Sequence, residues 1–314
     1  MHLRSEHFEK PLMVRRGRPR TGLALSSGAA RGLAHIGVLQ VLEELDIRID
    51  AVAGCSMGAY IGSLWNYGCD GKRLEQLAAT VNRAPDLLRL IDPAFPPGRG
   101  LIRGAKIKRR LKATLGGTRF SELRRPLRVV ATRLDTFERA VFSRGIVVDA
   151  VHASLAIPGV CVPVELDGHR YSDGAILDPL PVDVLRGIGC ETVIAVSVIP
   201  PVSEIIAECG NNVPSRGFLQ DFNPFASGNF VDTLRRSVLS AEIRLAHESA
   251  NEADVLIAPR VGNHGWHDYR QWPYYIDEGR TATLAKKKEL LAIKRETFSV
   301  PNIATNNHYE TITT

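Results

Sequence analysis

The sequence predicts an α/β protein built on a mostly parallel sheet with helical crossovers, and three observations carry that prediction. A short apolar run, a glycine-containing turn and an amphipathic helix follow one another twice near the start, the order of elements that a parallel sheet requires. Two further runs of buried-strand type come late in the chain. The composition, 44% hydrophobic and 24% charged over 314 residues, is that of a globular protein long enough for one large α/β domain.

"GLALS", Gly22–Ser26, reads as the first strand and runs into "SGAARG". Leu33, Ile36, Leu39, Leu42 and Leu45 then fall on one stripe of a helix. "IDAVAG", Ile49–Gly54, is the second strand and leads directly to Ser56, after which "MGAYIGSLWNYG" is a helix ended by Gly68. "DGKRLEQLAATV" is helical, "IDPAFPPGRG" is a loop, and Leu127–Asp135 with Arg139–Gly145 form a strand pair. Val147–Ile157 is a helix stopped by Pro158. Short strands and turns fill residues 161–181, Thr192–Val198 is a buried strand, and Val231–Ala250 is a long helix. "DVLIAP" is the last strand, before a C-terminal helix carrying Lys286, Lys287 and Lys288. Residues 1–20 are expected to be a mobile basic arm, 21–260 the domain proper, and 261–314 a helical extension packed on it with a flexible tail. Within the domain, 200–230 is expected to be a lid or flexible loop, since a long stretch without regular pattern is uncommon in a compact domain.

No segment approaches the roughly 18 uninterrupted apolar residues of a spanning helix, and the N-terminus has charges where a signal peptide has its apolar core. A cytoplasmic protein is expected. Five cysteines without a C-x-x-C pair argue against a disulfide framework or zinc knuckle. The net charge of +6 is uneven, because residues 99–128 hold eleven Lys and Arg against Glu122 alone. Ile107, Leu111 and Leu115 recur at four-residue spacing there, so an amphipathic helix with a basic side is expected. Such a side is a solvated surface or a peripheral contact with anionic lipid. No interleaved aromatic residues accompany the charges, so nucleic acid is not expected as a partner.

The chemistry centres on "GCSMGAY". Gly54 and Gly58 flank Ser56 on a strand-to-helix turn, an elbow that exposes a serine oxygen above the sheet as a nucleophile. Serine needs a base, and the residues leave two kinds open. His264 and His267 lie in a late loop, while Asp173 of "YSDGA" is a carboxylate that works as a base only in a site with little water. The amides of Gly28, Ala29 and Ala30, where a strand enters a helix, are candidates for an oxyanion hole. Arg31 opposes the helix dipole there and is read as an anchor for that loop through backbone carbonyls, or as a contact for an anionic headgroup. No metal or organic cofactor is called for; "HGWH" has no carboxylate at ligand spacing.

Taken together, "LSSGAARGLAHIGVLQVLEEL", "GCSMGAY", "ASLAIPGVCVPVELDG" and "YSDGA" resemble the patatin-like phospholipase family, with the blocks in the same order over roughly residues 21–260. The resemblance implies a three-layer α/β/α sandwich, a glycine-rich oxyanion loop, and a Ser-Asp dyad that hydrolyses acyl esters of lipids. It selects Asp173 over the histidines. Where the family carries three consecutive glycines this chain reads Ser27, Gly28, Ala29, and its Asp-Gly-Gly is Asp-Gly-Ala. Two other readings stand beside it: an α/β-hydrolase with a Ser-Asp-His triad, and a non-catalytic lipid- or anion-binding module.

Overall fold

The fold is a computed structural model that describes residues 20–81, 84–95, 99–202, 230–262 and 264–298. The expected arm up to residue 19, the expected lid over 203–229 and the expected tail beyond 298 lie outside the described residues.

The sheet is α/β in type and mostly parallel, as the sequence predicts. Its strands are β1 (Thr21–Leu25), β2 (Ala51–Cys55), β3 (Leu127–Arg133), β4 (Glu138–Phe142), β5 (Val164–Leu166), β6 (His169–Asp173), β7 (Thr192–Val196) and β8 (Val255–Ile257). The order is β5-β6-β3-β2-β1-β7-β8, with β4 also paired to β3. The run β3-β2-β1-β7-β8 is parallel, and β4, β5 and β6 enter by antiparallel pairs.

Alternation along the central strands builds two unlike faces. Leu23, Leu25, Val52, Ile194 and Val196 face one core, into which helix α1 (Ala34–Glu44) and helix α2 (Met57–Tyr67) pack Ile36, Leu39, Ile61 and Leu64. The opposite face is small, with Ala24, Ala51, Ala53 and Ala195 against Leu180, Val182 and Leu185 and against Ala246 of the helix Phe230–Ala250. Side chains at successive strand positions point to opposite faces, so the alternation of large residues with alanines along β1, and of Val52 with Ala51 and Ala53 along β2, fixes the register of these two strands. Helices cover both faces, giving three layers.

The C-terminal helix of the sequence reading is two, Trp272–Ala285 and Lys287–Phe298, with Lys286 at the break. The first belongs to the core: Tyr275 is fully buried and Ile276 nearly so. It crosses α1 at backbone contact. A methyl group added at Gly37 would stand 1.9 Å from Ile276 O, and one at Gly279 would stand 2.0 Å from Ala34 O. Among the described residues, no helix is long and apolar enough to cross a membrane.

Candidate active site

Ser56 sits on a sharp turn between strand and helix. Ser56 follows β2 with φ 52 and ψ −120, a left-handed backbone that costs a β-carbon residue about 1–3 kcal/mol. The flanking glycines are needed for space. A methyl group at Gly58 would lie 2.3 Å from Leu25 O, and one at Gly54 would lie 2.7 Å from Ala59 N, so α2 starts against the end of β1 only because both lack one. The strained backbone is held by a residue that the sequence reading left without a role. Ser154 Oγ accepts a hydrogen bond from Ser56 N at 2.7 Å and donates to Val130 O at 2.6 Å, fully buried.

Ser56 Oγ donates to Asp173 Oδ2 at 2.6 Å, and both residues are only 3% exposed. Asp173 ends β6 and does not sit in a free turn. Its N–H donates to Ala156 O, its carbonyl accepts from Thr132 Oγ1, and its Oδ1 accepts from Ala175 N at 2.9 Å. The Cys55 thiol lies 3.8 Å from the same oxygen, and burial beside Asp173 pushes its pKa well up, so it stays a neutral donor. Burial raises the Asp173 pKa from 3.8 to about 6, against the smaller opposing effect of the hydrogen bonds from Ser56, Ala175 and Cys55. A carboxylate tuned this way suits proton transfer near neutral pH. The glycine of "SDG" is again a matter of space, since a methyl group at Gly174 would lie 2.4 Å from Val130 O.

The loop at the end of β1 lines the same cavity with Ser27, Gly28, Ala29 and Arg31. Gly28 has φ 155 and ψ 8, and Ala29 has φ 49, a left-handed conformation on a residue other than glycine. Ala30 N donates to Trp266 O at 2.9 Å, so of the three candidate amides only those of Gly28 and Ala29 lack a partner among the described residues. Arg31 is 4% exposed and its Nη2 donates to His264 O at 3.1 Å, which ties the loop to the late segment through a carbonyl. His35 pins the loop from below. Its Nε2 lies 2.9 Å from Ser26 O, and burial lowers its pKa to about 4, so the ring is neutral and donates from Nε2.

The cavity above Ser56 holds about 80 Å³ and has largely apolar walls, including Ile157, Ile176, Val198, Leu239 and Trp266. Glu242, on the helix Phe230–Ala250, also lines it and accepts a hydrogen bond from Ser27 Oγ. No sequence pattern pointed to Glu242, because its place depends on how that helix lies across the sheet. Among the described residues, none lining the cavity is a histidine. The His264 ring stacks edge-on to Tyr274 at 4.7 Å, and His267 packs beside Trp266 at 5.4 Å.

Comparison with known proteins bears on this arrangement. The family model described as patatin-like phospholipase matches residues 23–186. The sequence is 41% identical to an uncharacterised NTE family protein of Mycobacterium tuberculosis over 182 residues, 57% of this chain and 49% of that one. To lysophospholipase NTE1 of Saccharomyces cerevisiae it is 29% identical over 275 residues, 82% of this chain and 16% of that one. Among solved structures, VipD from Legionella pneumophila aligns over 87% of this chain and 67% of that one, with a TM-score of 0.47 and 15% identity. The chain thus spans about half the length, or less, of these curated relatives.

Proposed function

The chain belongs to the patatin-like phospholipase family, and from that premise we propose that it is a serine acyl hydrolase that cleaves fatty-acyl esters of lipids, in the manner of a phospholipase A or lysophospholipase. The observation that carries the reading is the buried 2.6 Å hydrogen bond from Ser56 Oγ to Asp173 Oδ2.

Ser56 Oγ attacks the ester carbonyl while its proton passes to Asp173. The carbonyl oxygen becomes an oxyanion that the amides of Gly28 and Ala29, two residues lining the cavity, receive by hydrogen bonding. When the intermediate collapses, the bond to the alcohol oxygen breaks and Asp173 returns the proton to it. The acyl group stays on Ser56. Water then attacks the acyl carbon, gives its proton to Asp173, and the fatty acid leaves as Ser56 Oγ recovers that proton. One carboxylate with a pKa of about 6 serves both directions, base for the attack and acid for the departure. A cavity of about 80 Å³ takes only the few methylenes next to the ester carbonyl, and its apolar walls favour them by about 0.8 kcal/mol each.

A panel of p-nitrophenyl esters and phospholipids, assayed with wild type, Ser56→Ala and Asp173→Asn, tests the reading. Hydrolysis by wild type with loss in both variants is expected. Undiminished hydrolysis in Asp173→Asn, with loss only when His264 and His267 are replaced, would transfer the base to a histidine. A folded wild type that neither hydrolyses any ester nor reacts with a fluorophosphonate at Ser56 would leave a binding module instead.

A further inference from the structure

The basic segment 99–128 resolves into two parts with different fates. Its helix, Ala105–Leu115, buries Leu111 and Leu115 and uses much of its charge internally. Lys108 pairs with Asp149 at 2.7 Å, Lys106 donates to Ile91 O, and Arg110 donates to Leu77 O. Four more of its arginines, Arg119, Arg124, Arg125 and Arg128, line a pocket of about 430 Å³ together with Arg144, which lies outside the segment. None of these five guanidinium groups has a carboxylate within ion-pair distance among the described residues. The acid nearest in sequence, Glu122, takes its 2.6 Å hydrogen bond from the Arg119 backbone N–H.

Arg125 stands over the Trp65 ring at 4.1 Å, and its Nη1 is buried without a hydrogen-bond partner. Burial, and then the neighbouring Arg124, disfavour its charge. A buried cationic donor left unsatisfied is costly, and five like charges in one concavity repel one another. An anion with several acceptor oxygens removes both costs, and the planar guanidinium fork matches phosphate oxygens two at a time.

The place of the pocket in the fold separates it from the candidate active site. Arg128 is the second residue of β3, and β3 begins beside Val52 near the start of β2, whereas Ser56 follows the end of β2. Arg124 N bonds to Asn66 O at the far end of α2 from Ser56. The arginines therefore gather at the amino ends of the parallel strands and the dyad at their carboxyl ends. We infer that this arginine pocket is a second ligand site, specific for a phosphate-bearing group with at least two negative charges, either a lipid headgroup phosphate or a free phosphorylated molecule.

Calorimetric titration of the full chain with inorganic pyrophosphate, and flotation with phosphatidylcholine vesicles with or without phosphatidic acid, test the assignment. The informative variant is Arg124→Gln with Arg144→Gln, both exposed. Its charge-matched control is Lys287→Gln with Lys288→Gln, on the C-terminal helix. Binding of either probe by wild type, weakened about tenfold or more in the arginine variant and unchanged in the control, is the expected result. Flotation on phosphatidic acid that pyrophosphate reverses identifies a headgroup as the source, and pyrophosphate binding without flotation identifies a free phosphate ligand. Failure of both probes to bind wild type, or equal weakening in variant and control, overturns the proposal.

Discussion

Ser56 and Asp173, 117 residues apart in sequence, meet because β2 and β6 approach each other end to end along one edge of β3. Cys55 pairs with Val130 and Asp173 pairs with Ala131, adjacent positions of β3, while β4 takes the other edge over the same residues. β2 runs parallel to β3 and β6 antiparallel, so the carboxyl end of each strand faces the other. No residue of β3 separates the two pairings, so Ser56, which follows Cys55, comes within hydrogen-bond distance of Asp173.

If Asp173 is the base, kcat/KM for a neutral ester should rise with pH through about 6 and then level off, because the carboxylate must be ionised to accept the serine proton. A pH–rate profile with wild-type protein checks this. A limb centred near 4, where an unperturbed aspartate titrates, would mean the site is wetter than its burial indicates.

The same burial makes Asp173 a cost to stability. The fold holds the Asp173 proton up to about pH 6 while the unfolded chain releases it near 3.8, so stability falls as pH rises across that window and the full cost stands above it. That difference corresponds to roughly 3 kcal/mol. Asp173→Asn should therefore lower kcat by on the order of 10⁴-fold while raising Tm at pH 8 and leaving it little changed at pH 4. An equal Tm shift at both pH values would trace the effect to packing.

Ser154→Ala removes the acceptor for Ser56 N and leaves a buried amide unsatisfied, at a cost of about 1–3 kcal/mol. The expected signature is a lower kcat with KM nearly unchanged, since the elbow loosens while the cavity keeps its walls. Steady-state kinetics beside thermal denaturation would show it, and Ser154→Thr should restore part of the loss if its hydroxyl reaches both partners.

Gly279→Ala forces a methyl group toward Ala34 O at the crossing of α1 with the helix Trp272–Ala285, and nothing at the contact is a side chain that can move aside. Destabilisation by about 3 kcal/mol is expected, read as a lower midpoint in denaturant. A neutral outcome would show that the two helices part easily.

Ala29→Gly should be nearly silent. Relief of the left-handed backbone, worth about 1 kcal/mol, is offset by the greater freedom of glycine in the unfolded chain, about 0.5–1 kcal/mol. Retained ester hydrolysis with a Tm close to wild type is the expected measurement. A large gain in kcat would mean that alanine holds the Gly28–Ala29 amides away from their best geometry.

The local pattern determined a good deal. Alternation of leucine and alanine along β1, the stripe on α1 and the glycines around Ser56 follow from spacing alone, because they depend on neighbours within a few residues. Asp173 could be singled out only through the order of several motifs, since its own surroundings read as an ordinary turn. Tertiary structure decided the rest. Burial, which no short window reports, sets the pKa of Asp173; the crossing of distant segments brings Trp266 O to Ala30 N, Ser154 to Ser56, Glu242 to Ser27, and Arg144 into company with Arg119 to Arg128. Contacts between residues well separated in sequence are set by strand order and helix crossing, and those depend on the packing of the whole chain at once.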